Sequence, residues 1–161
     1  MSVSIKSEKE LARMREAGKI LSEVHDCLAD IIVPGITTKE LDRRAFEIIH
    51  AHGCTPSFLN YNGFPASICA SVNEEVIHGI PDKKRVLKEG DIISIDAGVI
   101  YEGYHSDAAR THAVGQISPE AARLIEVTKQ SFFEGIKYAR AGCHLCEISA
   151  AIEDYVVANG Y

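Results

Sequence analysis

Apolar residues recur at helical spacing near the start of the chain: Leu11, Met14, Leu21, Val24, Leu28 and Ile31 form one stripe on an otherwise charged segment. Ser7 followed by Glu10 is a capping box ahead of that stripe, so the helix starts there, and Pro34-Gly35 stops it. Thr37 and Glu40 form a second capping box. Leu41, Ala45, Ile48 and Ile49 supply the next buried face, and Gly53 closes that helix. From Thr55 to about Gly115 the pattern shortens to β-like runs separated by turns: "NGFP", "HGIP", "KEGD", "YEGY". Helix resumes at Ser118-Pro119-Glu120, a cap with proline at the first helical position, and runs to about Arg140. "AGCHL" breaks it, and Leu145, Ile148, Ile152, Tyr155 and Val156 mark a last helix reaching Gly160. The order α-α-β-β-β-β-α-α, with the strands in one block, predicts an α+β fold in which an antiparallel sheet carries helices on one face.

Composition narrows the class without changing that picture. A chain of 161 residues, 46% hydrophobic and 25% charged, reads as one soluble globular domain. No apolar run approaches the roughly 20 residues that span a bilayer, and "MSVSIKSEKE" lacks the apolar core of a leader, so a cytoplasmic protein is expected. A net charge of −6 with no basic stripe argues against nucleic acid as a partner. Five scattered cysteines, an odd number, fit free thiols in a reducing compartment better than a disulfide framework.

Within the β block, "GDIISIDAGVIYEGYHSDAARTHAVG" places Asp96 in an apolar run and Asp107 just past a turn. If Ile92 to Val99 and Tyr104 to Val114 are the arms of a hairpin turning near Glu102-Gly103, facing positions have an odd index sum. Asp96 and Asp107 then share a face, opposite or one diagonal step apart, about 5–8 Å between Cβ atoms. Parity puts His105 on that face and Arg110 on the other. Two carboxylates so close repel unless a cation lies between them, which favours a divalent metal. The alternative is a solvated surface hairpin, or an acid satisfied by backbone N–H groups. His78 in "EVIHGIPD" is open in the same way: a satisfied loop histidine, or an imidazole held at the end of an apolar strand where a catalytic group is useful.

Three separated segments, "IKSEKELARMREAGKI", "NYNGFPASICASVNEEVIHGIPD" and "LKEGDIISIDAGVIYEGYHSDAARTHAVG", resemble the bacterial type I methionine aminopeptidases of peptidase family M24 over essentially the whole chain. The resemblance implies a pita-bread fold, two pseudo-symmetric halves around a dinuclear metal site, with a first half of about 1–115 and the start of a second at about 116–161. It implies that Asp96 and Asp107 are metal ligands and that His78 binds substrate and supports the tetrahedral intermediate. Tyr61, Phe64 and Cys69 fall on the methionine side-chain pocket, and Phe58 and Phe64 on positions that vary among relatives. The implied cofactors are two divalent ions, manganese, cobalt, iron or zinc. The implied substrates are nascent proteins bearing an initiator methionine and a small second residue.

The family's three further ligands, a histidine in a "GHGIG"-like segment and two glutamates, have no counterpart in the 161 residues. The chain is therefore expected to be the N-terminal portion of such an enzyme and inactive alone; the other reading is a non-catalytic, peptide-binding member of the fold. The prolidase and creatinase branch, which carries an extra N-terminal domain, fits less well. His144 and Glu147 could stand in as ligands, but a polar first helical turn explains them better. Cys143-x-x-Cys146, with no second pair, reads weakly as zinc or redox chemistry. An apolar stripe of Leu124, Ile125, Phe132, Ile136, Ile148 and Ile152 without a sheet to cover it predicts self-association.

Overall fold

A computed structural model describes residues 4–161; residues 1–3, the beginning of the stretch read as lacking a leader, lie outside the described residues. The chain divides into two compact units, one ending at Ile117 and one of Ser118–Tyr161. The first unit opens with helix α1 (Glu8–Ala29), where Ser7 and Glu10 complete the expected capping box. Helix α2 (Thr38–Ala51) follows. Strands β1 (Thr55–Pro56), β2 (Ile68–Val72), β3 (Ile92–Tyr101) and β4 (Tyr104–Ala113) form one antiparallel sheet. β3 is its hub: β4 pairs along its full length, and β1 and β2 pair with its other edge in succession.

Alternation along β3 sorts the sheet's two faces. Ile93, Ile95, Ala97 and Val99 are fully buried and meet Ile68, Ala70 and Val72 of β2 on one face. Ala17, Ile20, Leu21, Val24 and Leu28 of α1 and Leu41, Ala45 and Ile49 of α2 cover that face and complete the core. Each buried Val, Leu or Ile among them contributes about 1.5–3 kcal/mol when removed from water, so both helices are held on one side, as the α+β pattern requires. The opposite face carries Asp96 and Cys69, which sit directly across from each other.

Local competition displaced several expected features. The buried stripe of α1 begins at Ala17 and includes His25, whereas Met14 is exposed; Ile31 lies beyond the helix, which ends at Ala29 rather than at Pro34. The second capping box is half formed: Thr37 accepts from the Glu40 amide, but the Glu40 carboxylate is taken by Arg43 one turn on. Val76 and Ile77 are not a strand. After β2 the chain turns at Asn73, and both side chains project from a loop, 86% and 68% exposed.

The second unit is a helical hairpin of α3 (Pro119–Ile136) and α4 (Leu145–Ala158). α3 starts at the Ser118 cap with Pro119 as its first residue, and it ends one turn before Arg140. A Cβ on Gly135 would lie 2.7 Å from Ile152, so the missing side chain lets the two helices close together. Leu124, Phe132 and Ile136 are exposed; Ile125, Ile148 and Ile152 are half-buried. His144 precedes α4 and its amide donates to the Glu147 carboxylate, so this pair caps a helix. All five cysteines are free. No helix among the described residues is long and apolar enough to cross a membrane.

Candidate active site

The position of the acidic pair follows from a two-residue turn. Glu102 and Gly103 both have positive φ, 45° and 83°, the geometry that closes a tight hairpin and matches strand twist. Tyr101 then faces Tyr104, and the register runs back to Gly98 facing Asp107 and Asp96 facing Ala109. Asp96 and Asp107 therefore share a face one diagonal step apart. His105 lies on the same face, its Nδ1 3.1 Å from Ser57 Oγ, while Arg110 lies on the other, paired with Asp26 at 2.6 Å.

Two irregular segments enclose this face. Asn60 and Asn62, both left-handed, and Gly63 fold "NYNGFP" into a tight loop that closes with the Asn60 amide donating to the Phe64 carbonyl at 2.8 Å. That loop presents Tyr61 and Phe64. The second segment runs along β2: the Ala70 amide donates to the Gly79 carbonyl at 2.8 Å, and the Gly79 amide to Ser71 Oγ at 3.1 Å. His78, immediately before this clamp, has φ of +59°, a strained backbone for a non-glycine residue. Phe58, Tyr61, Phe64, Pro65, Cys69, His78, Ile80, Asp96 and Asp107 line a single cavity of about 620 Å³.

His78, Tyr61, Phe64, Cys69, Asp96 and Asp107, the residues singled out from the sequence as ligands or substrate contacts, thus line one space, its aromatic and apolar groups beside two carboxylates and an imidazole. Pro65 and Ile80 were missed, although each sits in one of the turn motifs, "NGFP" and "HGIP". Buried Asp42 was also missed. It accepts from the Ser67 amide at 2.7 Å and from Lys39 at 2.8 Å, tying α2 to the residue before β2.

Electrostatics mark Asp96 as a group in want of a cation. Burial, then the negative charge of Asp107, push its carboxyl above the ordinary range, against the pull of His78. Its Oδ1 is buried and has no hydrogen-bond partner. A hard divalent ion fits such an oxygen pair, and Asp96 and Asp107 would hold it. They are an incomplete set: among the described residues no group of three or more histidines, cysteines, aspartates or glutamates is placed to hold a metal.

Cys69 sits directly opposite Asp96 and is 5% exposed. Burial first, then Asp96 and Asp107, push its thiol up to about 11. At pH 7.5 its thiolate is about 300-fold scarcer than that of an ordinary thiol. Brief iodoacetamide treatment followed by peptide mass spectrometry is expected to label exposed Cys27 and Cys146 and leave Cys69 unmodified. Labelling of Cys69 at a comparable rate would mean that neither burial nor the two carboxylates hold its thiol protonated.

The sequence profile of metallopeptidase family M24 matches residues 12–161. A methionine aminopeptidase of Clostridium acetobutylicum is 55% identical over 99% of this chain, which spans 64% of that protein. Crystal structures of methionine aminopeptidases from Rickettsia prowazekii and Thermotoga maritima superpose with TM-scores of 0.96 and 0.96, at 40% and 36% identity. Each match covers 99% of this chain and 64% of the other. The fold is therefore the pita-bread fold, of which this chain spans just under two thirds of the length of the relatives it matches.

Proposed function

The chain belongs to metallopeptidase family M24, and from that premise we propose that it carries the substrate pocket and two metal-binding carboxylates of an aminopeptidase that removes the initiator methionine from nascent proteins. The observation that supports this most is the convergence of Tyr61, Phe64, Cys69, His78, Asp96 and Asp107 on one cavity. Phe58, Tyr61, Phe64 and the buried Cys69 offer an unbranched thioether an apolar, polarizable wall.

Asp96 and Asp107 would hold the divalent ion, which when bound lowers the pKa of water and polarises the scissile carbonyl. His78, exposed on the loop clamped to β2, donates a hydrogen bond toward the peptide group and orients it. The buried wall beneath Asp96 excludes bulk water from one side, which strengthens both interactions. Two carboxylates alone make an open and weak cation site, so the 161-residue polypeptide by itself binds methionyl peptide and does not turn it over.

Calorimetric titration of the chain with Met-Ala-Ser and Ala-Ala-Ser in the presence of manganese tests the pocket. Preference for the methionyl peptide by about tenfold or more is expected. Equal affinity for both peptides would reject the assignment of the cavity. Release of methionine by the purified chain, lost on D96N, would keep the aminopeptidase and reject the statement that two carboxylates are too few.

A further inference from the structure

Behind the sheet, on the face away from the cavity, two histidines meet between α1 and β4. His25 is fully buried, and its Nε2 lies 2.9 Å from the Ala108 carbonyl oxygen. A carbonyl only accepts, so Nε2 carries the proton and Nδ1 is left with its lone pair. Nδ1 is buried with no partner. His112 projects onto the same face of β4, two steps beyond Arg110, and its Nε2 is also buried and unpartnered.

We propose that His25 and His112 form an acid-sensitive latch that holds β4, the strand carrying Asp107, against α1 while both rings are neutral and releases it when they are protonated. A protonated imidazole carries N–H on both nitrogens, so His25 Nδ1–H and His112 Nε2–H would each point into protein with no acceptor. The charged groups around them do not help. From β4, Arg110 is already cationic and lies near both rings. From α1, the Asp26 carboxylate favours a charged His25 but is bound to Arg110. β3 presents Ile93, Ile95, Ala97 and Val99 on this face, with Tyr101 at its far end, and the Asp42 carboxylate of α2 is engaged by Lys39 and Ser67. Burial dominates, and it holds both imidazoles below the ordinary histidine range.

The latch acts at a sensitive place. Ala108 is the neighbour of Asp107, and its carbonyl is bound by His25. Among the described strands β4 pairs only with β3, so its other edge has no strand to hold it. The other ties from α1 to this face of β4 are Tyr104 to Glu10 at the start of the strand and Arg110 to Ser22 and Asp26. Opening the histidine contact therefore loosens the middle of β4 first. This holds whether or not Asp107 binds an ion.

The sign follows from the lowered values. The unfolded chain takes up protons near pH 6.5 that the folded chain refuses. Stability is then present above that pH and lost as pH falls below it, and the unfolding equilibrium constant rises by up to about tenfold per pH unit for each histidine. Two measurements on the 161-residue chain test the proposal. In ring-nitrogen NMR at pH 6, His25 is expected as the neutral tautomer protonated at Nε2, and His112 is expected to be neutral. Either ring protonated in the folded chain at that pH overturns the latch. In urea unfolding between pH 7.5 and 5, the wild-type chain is expected to weaken more steeply than the double variant H25L/H112F. Equal slopes overturn it as well, and the NMR measurement needs no variant to fold.

Discussion

Asparagine in place of Asp96 will abolish the stabilisation of this chain by divalent cations and, in their absence, make it more stable. Both effects come from one arrangement. The Asp96 carboxyl is half-buried, its Oδ1 has no partner, and the nearest acid, Asp107, repels it. Asparagine has the same shape without the charge, and it removes a repulsion that the metal-free protein bears alone. A gain on the order of 1 kcal/mol at pH 7.5 is expected, or about 2–4 °C in Tm for a chain of this size. The wild-type chain should recover that deficit with manganese, since a ligand at tenfold its Kd adds about 1.4 kcal/mol. The variant should not respond.

The pH dependence gives a second handle. The folded-state pKa of Asp96 lies above its unfolded value of 3.8. Its contribution to stability is therefore fully present below pH 3.8 and is lost as pH rises through the folded value. The advantage of D96N should accordingly be largest at neutral pH and shrink as pH falls and the wild-type carboxyl takes up its proton. Thermal melts of both chains at pH 7.5 and 4.5, with and without manganese, separate the two effects. A variant less stable than wild type at pH 7.5 without metal, or one equally stabilised by manganese, would mean that Asp96 is satisfied by the protein itself.

Features set by neighbours in sequence were legible before any coordinates. Ser7 and Glu10 cap α1 because both partners lie within one turn and nothing competes for them. The shared face of Asp96 and Asp107 was legible because a Glu-Gly turn fixes the register, and strand alternation then assigns every side chain to a side. The same logic placed His105 and Arg110 correctly. Glu40 was misjudged because Arg43, equally close along the helix, outcompetes the backbone amide for its carboxylate. Val76 and Ile77 looked like a strand because β-branched residues favour strands, but the turn at Asn73 carries them out into a solvent-exposed loop, and propensity yields to that. His25 occupies a core position of the α1 stripe, where a polar residue breaks the apolar pattern. Its burial depends on a strand 83 residues away, which no local pattern reveals.

The loop that carries His78 rests on one absent methyl group. A Cβ on Gly79 would stand 2.4 Å from the Ala70 carbonyl oxygen, 2.8 Å from its carbon and 2.9 Å from the Ser71 Cα. These are backbone atoms of β2, which is paired to β3 along its whole length, so the strand cannot yield. Gly79→Ala must therefore lift the loop and break the bonds from the Ala70 amide and to Ser71 Oγ. A loss of about 2–4 kcal/mol is expected from overpacking and the two bonds. His78 and Ile80 flank the substituted position and leave the cavity with it, so methionyl-peptide affinity should fall about tenfold or more. His78→Gly separates the two consequences. It removes the imidazole but relieves a φ of +59°, so it should lose peptide affinity while gaining about 0.5–1 kcal/mol of stability. Urea unfolding and peptide titration of both variants give the comparison. If Gly79→Ala unfolds and binds as wild type does, the clamp against β2 is not what positions His78, and its strained backbone needs another cause.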